Sequence, residues 1–458
     1  MTRIVDPFWR PRRSMNIYFP FSVSKRIPLR DCLSVDECAW AMCRHANNVV
    51  FGSKAGCIHM VSRSKMMDGQ RLDGWSAPGI MSTSRVVHRG GTSAVSGLVQ
   101  SDHIVSGGWS DGSWALSDIG QAGLEVVRQV RNIHDGVIRC LSPAPRSPHT
   151  FLSCSEDKRV VLWDVRISPP NLDVLGRTHR HPVQVVAFAP PHASPLYDDL
   201  IMSVCRGGSL LLWDLRSTRK AVVECDLHNC FPSLASPDVY ASDFDMSFKA
   251  GMVALQMSDG SVGFLDLIPL LADGFCRDSR GPHSVQPRCF AVHSQAANNR
   301  KWKLGHIRFF ADSTLVATSS EDGCLLVFDP LSGRLRSDIQ IHGNAIWSFC
   351  TDEDHRWDSQ DPQAAPTDPF LLYSCSEDST IAAVNVCSSF GMWDHLTGCT
   401  ASESNVYVLD EFGEWTCGVV RSADFDRGVM DIQFTEYVAG QDRAVVHPSL
   451  VRPRSRCT

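Results

Sequence analysis

No stretch of this sequence approaches the ~18 consecutive apolar residues that a membrane-spanning helix requires; even Phe264 to Leu271 is short and holds Asp266 and Pro269. A membrane span is therefore not expected. The sequence lacks any Asn-x-Ser/Thr acceptor, and its N-terminal arginines precede no apolar segment with a small-residue cleavage site, so secretion is not expected either. Cysteine is plentiful, at 18 residues, yet no two stand in Cys-x-x-Cys spacing. The nearest pairs, Cys38/Cys43 and Cys225/Cys230, have no second half, which argues against a zinc site. Others, such as Cys154, Cys324 and Cys375, sit in apolar runs and read as buried free thiols of a reducing compartment, cytoplasm or nucleus. An excess of positive charge is missing too. Lys and Arg number 44 against 50 Asp and Glu, and the net charge of −6 gives no general attraction to nucleic acid. The ends depart from this mean: Arg3, Arg10, Arg12, Arg13, Lys25, Arg26 and Arg30 face only Asp6, and Arg452, Arg454 and Arg456 lie near the other end. They read as solvated tails, with partner docking or nuclear import as the alternative.

Catalytic signatures are scarce as well. No Gly-x-x-x-x-Gly-Lys loop, His-Glu-x-x-His helix or kinase set is present, and the chain is read as having no Gly-x-Ser-x-Gly elbow. No catalytic, cofactor-binding or metal residue is assigned, and the chain is expected not to be an enzyme.

What is present is a repeat. With 43 % hydrophobic and 21 % charged residues the chain has the composition of a folded protein, and one pattern recurs along it: a small-residue strand, an acidic turn, then an apolar strand ending in an aromatic residue and Asp. The clearest copy runs from Phe151 to Arg166 and includes Ser153, Ser155, Asp157, Trp163 and Asp164. Its turn Asp precedes the Trp by six residues, and the same offset links Asp259 to Leu265, Asp322 to Phe328, Asp378 to Val384 and, more weakly, Asp111 to Ser117. The copy from Ile201 to Arg216 keeps Trp213-Asp214 but has Gly207 at the Asp position. A copy from Ala39 to Val61 keeps only the alternation and a Gly56 turn. Each has an upstream β-prone strand, giving seven repeats that start near residues 39, 94, 137, 183, 240, 306 and 346. An Asp recurring at one offset is explained by hydrogen bonding within the repeat better than by general acid/base work, and the pairs Glu156/Asp157, Glu321/Asp322 and Glu377/Asp378 are read that way.

This arrangement resembles the WD-repeat family over roughly residues 36–388. The resemblance implies an all-β, seven-bladed or eight-bladed WD-repeat β-propeller of four-stranded blades. It also implies a hydrogen-bonded set within each blade, which in the clearest copy maps onto His134, Ser153 or Ser155 (Ser155 being preferred), Asp157 and Trp163. Trp213, Asp259, Asp322, Asp378 and, in the last copy, His342 with Ser376 are the counterparts. Residues 1–35 are expected to form a basic segment with one closing strand, and 389–458 a loop followed by strands that complete the propeller or make a partial blade. Residues 64–90, 270–300, 352–369 and 388–427 interrupt the period and read as loops.

Function then falls to surfaces. Residues 151–166 resemble the docking box of substrate receptors for cullin-4 ubiquitin ligases, which makes Arg166 and Arg216 candidate partner-binding residues. The same stretch, with Val292 to Gln295, Ser320 to Cys324 and His342, is similar to the methylosome-type WD-repeat cofactors of the type II arginine methyltransferase. The C-terminal strands and Trp9-Arg-Pro11 are similar to a WD-repeat nucleoporin of the Y-shaped pore complex. Each resemblance implies a non-catalytic scaffold whose partners are proteins of a multi-subunit complex; the preferred expectation is a methylosome-type cofactor that presents substrate proteins to an arginine methyltransferase, with a receptor bound to a cullin-4 adaptor and a nucleoporin among nuclear-pore components as alternatives.

Overall fold

The computed structural model describes residues 21–28, 38–63, 66, 80–120, 123–167, 171–175, 179–190, 199–217, 221–231, 239–267, 270, 283–284, 289–293, 305–311, 313–331, 333, 335–352, 371–386, 405–409, 415–424, 429–438, 441–446 and 451–453. The basic residues Arg3 to Arg13, Arg454 and Arg456, and the polar segment 353–369, lie outside this set.

Several strands are buried along their whole length and mostly apolar. Val160–Asp164, Leu200–Cys205 and Leu371–Ser376 are buried at every residue. Side chains alternate between the two faces of a strand, so such a strand must lie in a sheet covered on both sides. The strands accordingly form eight small, almost wholly antiparallel sheets. The first uses Ala39–His45, Asn48–Ser53, Ile58–Ser62 and Ile80–Thr83, and the second Thr92–Gly97, His103–Gly108, Trp114–Gly120 and Gly123–Val130. The third contains Ile138–Pro143, Thr150–Ser155, Val160–Asp164 and Asn171–Val174. The fourth contains Val183–Phe188, Leu200–Cys205, Ser209–Asp214 and Val223–Asp226, with His283–Ser284 added in parallel. Ala241–Ser247, Met252–Met257, Ser261–Asp266 and Cys289–His293 make the fifth, and Ile307–Phe310, Leu315–Ser319, Cys324–Phe328 and Leu335–Gln340 the sixth. The seventh takes Ile346–Thr351, Leu371–Ser376 and Thr380–Val386 from one end of the ring and Phe21–Pro28 from the start of the chain.

These seven sheets close a circle. The first strand of each touches the first strand of the next, and Ala39–His45 touches Ile346–Thr351. The core is divided in the same way, one apolar cluster for each pair of neighbouring sheets. Leu152 and Cys154 face the fourth sheet, while Phe151 faces the second. Phe21–Pro28 lies along Thr380–Val386, so the outer strand of the seventh sheet comes from ahead of the first and ties the ring shut. Asn405–Leu409, Trp415–Asp424, Val429–Val438, Gln441–Val446 and Val451–Pro453 form the eighth sheet.

Three segments read as loops carry strands: Ile80–Thr83, then His283–Ser284 and Cys289–His293, then Asn405–Leu409 and Trp415–Asp424. Within the ring these are outer strands, which complete sheets already defined by their inner three. Their short, mixed sequences lack the apolar run that marks a strand buried on both faces.

In every ring sheet the second and third strands are joined at the same end, by a turn that is acidic in five sheets and is formed by Lys54 to Gly56 in the first and Arg206 to Gly208 in the fourth. That turn needs one residue with positive φ; Gly112, Gly260 and Gly323 supply it, while Lys158 and Ser379 adopt it without glycine.

Candidate functional site

In the third sheet His134 arrives from the loop ahead of Ile138–Pro143 and sits over the turn. Its Nδ1 lies 2.8 Å from Asp157 Oδ2 and its Nε2 2.7 Å from Ser153 Oγ. Trp163 Nε1 donates to the same Ser153 Oγ at 2.8 Å. Ser153 therefore holds the place assigned to Ser155. The two serines share a strand face, being two residues apart, but Ser155 lies at the turn, where its Oγ accepts from Asp157 N at 3.2 Å. Asp157 also accepts from Asp135 N, Arg159 N and Arg159 Nε. Burial pushes its carboxyl up, but the hydrogen bonds from His134 and Arg159 outweigh burial and hold it well below the usual carboxylate range.

The other sheets vary this set. In the fourth, Ser203 Oγ bridges His179 Nε2 and Trp213 Nε1 at 2.8 Å each, but Gly207 supplies no carboxylate. A Cβ on Gly207 would meet the His181 ring at 2.2 Å. His179 Nδ1 is buried without a partner among the described residues, and burial pushes this imidazole down to about 4. In the second sheet His88 joins Ser113 and Ser106, and Ser117 stands in the Trp position. Trp114 is turned instead toward the third sheet, 5.2 Å from Phe151 and 5.8 Å from Trp163. In the seventh, His342 lies 2.8 Å from Ser374 Oγ and 2.6 Å from Thr380 Oγ1, so Ser374 fills the place read as Ser376. Asp378 accepts from Gly343 N and Thr380 N. Asp259 and Asp322 each accept the backbone N–H two residues on, Ser261 and Cys324. The recurring Asp is thus a turn-closing acceptor in each of these sheets; it hydrogen-bonds the histidine in the third and lies 3.8 and 3.5 Å from it in the second and seventh.

A family model described as WD domain, G-beta repeat matches residues 127–164. The chain carries a WD repeat. The match spans His134, Ser153, Asp157 and Trp163 together. It extends from the outer strand of the second sheet through the third strand of the third, and the all-β architecture of small antiparallel sheets is that of a WD-repeat propeller.

Arg166 and Arg216 follow the third strands of neighbouring sheets, at the end opposite the acidic turns. Each folds back on the Asp two residues earlier: Arg166 Nε and Nη2 reach Asp164 at 3.0 and 2.6 Å, and Arg216 Nε and Nη2 reach Asp214 at 2.8 and 2.6 Å. The side chains remain 62 % and 47 % exposed. Each Asp fixes the direction of its guanidinium and leaves donors facing outward.

Some features were not read from the sequence. Asp352, taken as the start of a loop, is fully buried; its carboxylate accepts from Arg63 Nε and Nη2 at 3.0 and 2.9 Å and from Tyr373 OH at 3.1 Å and pairs with Arg44 Nη1 at 3.0 Å, while its backbone oxygen accepts from Arg44 Nη1 at 2.6 Å. This cluster lies between the first and seventh sheets. Its acid comes about 300 positions after its arginines, a separation that no local pattern reveals. One Gly-x-Ser-x-Gly string does occur, Gly108-Trp-Ser-Asp-Gly112. It forms the hairpin turn of the second sheet, with no helix after it, and Ser110 Oγ donates to Arg89 O at 2.7 Å. A nucleophile elbow is a strand-to-helix turn, so the string is not one. Cys225 and Cys230, weighed as half a metal site, place their Sγ atoms 3.2 Å apart in the core between the fourth and fifth sheets.

Proposed function

We propose that the protein is a non-catalytic scaffold that holds other proteins in a multi-subunit complex. The observation that carries this reading is the engagement of its recurring histidines and acids inside the blades. His134 has both ring nitrogens hydrogen-bonded and Asp157 closes its turn, so neither faces a substrate. The purified chain is expected to show no methyltransferase, hydrolase or kinase turnover. Robust turnover abolished by a single substitution would reject the reading.

Among partner classes, the paired forks of Arg166 and Arg216 favour docking to a cullin-4 adaptor, since they repeat one outward-facing guanidinium on adjacent sheets at one rim. The methyltransferase-cofactor reading rests on the sequence resemblance and places docking on the first repeats and the basic N-terminal segment. Replacing both arginines by Ala and capturing the full chain from cells separates the two. Loss of the adaptor supports the receptor reading. Retention of an arginine methyltransferase that deletion of residues 1–20 then removes supports the cofactor reading, and recovery of nuclear-pore proteins alone refutes both.

A further inference from the structure

Six of the seven ring sheets share one irregularity: the pairing of the first strand with the second skips a residue near the turn end. The skipped residues are Trp40, Ser93, Arg139, Gln184, Ser242 and Trp347. Such β-bulges re-aim a side chain, and because the first strands line the ring, these residues stand around one mouth of it. Where the residue is serine, it is tied to backbone. Ser93 Oγ donates to Ile138 O at 2.6 Å, and Ser242 Oγ to Gln256 O at 3.2 Å. Where it is tryptophan, neighbouring sheets bring the indoles together: Trp40 lies 6.2 Å from Trp347 and 5.2 Å from Trp109, all three half-buried.

One end of this arc already holds a guanidinium. Arg139, the skipped residue of the third sheet, places Cζ 5.1 Å from the Trp109 ring centroid, and Glu156 at the adjoining turn accepts from its Nε at 3.1 Å. The seventh sheet repeats the turn that supplies this carboxylate, residue for residue. Ser153-Cys-Ser-Glu-Asp157 recurs as Ser374-Cys-Ser-Glu-Asp378, and the two glutamates are anchored alike, Glu156 N donating to Val137 O and Glu377 N to Ala345 O. The difference lies at the skipped position, where Trp347 replaces Arg139. The seventh sheet thus has the exposed glutamate and the indoles without a cation of its own at that position.

We propose that Trp40, Trp347 and Glu377 receive an arginine side chain from a peptide segment of a partner protein, which completes at the seventh sheet the indole–guanidinium–carboxylate stack that Trp109, Arg139 and Glu156 make at the third. An indole face attracts a cation, and a carboxylate at the guanidinium edge orients it. Packing alone does not account for the tryptophan. Trp347 does lie against the core between the first and seventh sheets, but serine fills the same position in the second and fifth. The proposal deepens the scaffold reading and rests on it; its site is at the mouth opposite Arg166 and Arg216, so the two fail separately.

The test uses the full chain labelled at its indole nitrogens and the peptide acetyl-Gly-Ser-Arg-Ser-Gly-amide, with the citrulline peptide as the uncharged isostere. The expected result is saturable shifts of the Trp40 and Trp347 indole signals, with citrulline binding at least about fivefold more weakly. Trp347→Ser and Glu377→Gln should each cost at least about fivefold in affinity, while the Arg166/Arg216 double alanine variant binds as the wild type does. If Trp347→Ser lowers the melting temperature, Glu377→Gln, at an exposed side chain, decides alone. Equal binding of the citrulline peptide, unchanged affinity in Glu377→Gln, or no saturable shift up to the solubility of the peptide would overturn the proposal.

Discussion

Asp157 and Gly207 occupy equivalent places in neighbouring sheets, six residues before Trp163 and Trp213, and the difference between them decides whether the buried histidine above the turn meets a carboxylate. His134 has a carboxylate at 2.8 Å; His179 has none. Asp157→Ala would leave His134 Nδ1 and the turn N–H groups short of an acceptor and is expected to destabilise the fold by about 1–3 kcal/mol. Asp259→Ala, which releases only the Ser261 contacts, should cost less. Urea denaturation of both variants measures this; equal losses would show that the histidine bond adds nothing. At His179 the folded chain refuses a proton that the unfolded chain, near 6.5, accepts. Stability from this group is therefore complete above pH 6.5 and is lost as pH falls toward 4, by about 3 kcal/mol in all. His179→Gln should remove most of that slope relative to wild type between pH 7 and 4.5, and parallel profiles would contradict the assignment. The turn acids were legible at this scale because their offset repeats. The choice between Ser153 and Ser155 was not, since both lie on one strand face and only the depth of His134 decides between them.

At the scale of elements, the inner strands were legible and the outer ones largely were not. A strand buried on both faces is an unbroken apolar run such as Val160–Trp163, whereas Ile80–Thr83 and Cys289–His293 are short and separated from their sheets by long segments. Of ring closure, a closing strand ahead of the first repeat was expected, but the buried ion cluster was not, because its residues lie about 300 positions apart in the chain. Two devices close the ring: the strand Phe21–Pro28 and the cluster of Asp352 with Arg44, Arg63 and Tyr373. Burial pushes the Tyr373 hydroxyl well up, so it stays a donor to Asp352. Asp352→Ala would strand two arginines, one of them fully buried, and is expected to cost about 3–5 kcal/mol. Hydrogen exchange should then rise first in Ala39–His45 and Ile346–Thr351, and uniform exchange across all sheets would count against a seam at this place. Removing residues 21–28 bares the edge of Thr380–Val386 and should promote association through that edge. Light scattering of the truncated chain checks this; a monomer of unchanged stability would contradict it.

For the molecule as a whole, the ring separates two faces. One carries the acidic turns and the Trp40, Trp109 and Trp347 arc; the other carries the Arg166 and Arg216 forks. The sequence showed the forks because Trp-Asp-x-Arg is contiguous, but it hid the arc, whose members lie on three sheets and meet only when the ring closes. A scaffold with two such faces should bring different proteins to each. The direct measurement is cross-linking mass spectrometry of the full chain captured from cells. The account predicts partner cross-links concentrated on the two end faces, with links near the forks lost in the Arg166/Arg216 double alanine variant and those on the opposite face retained. A chain recovered alone at monomer mass, with turnover that Asp157→Ala abolishes, would contradict it.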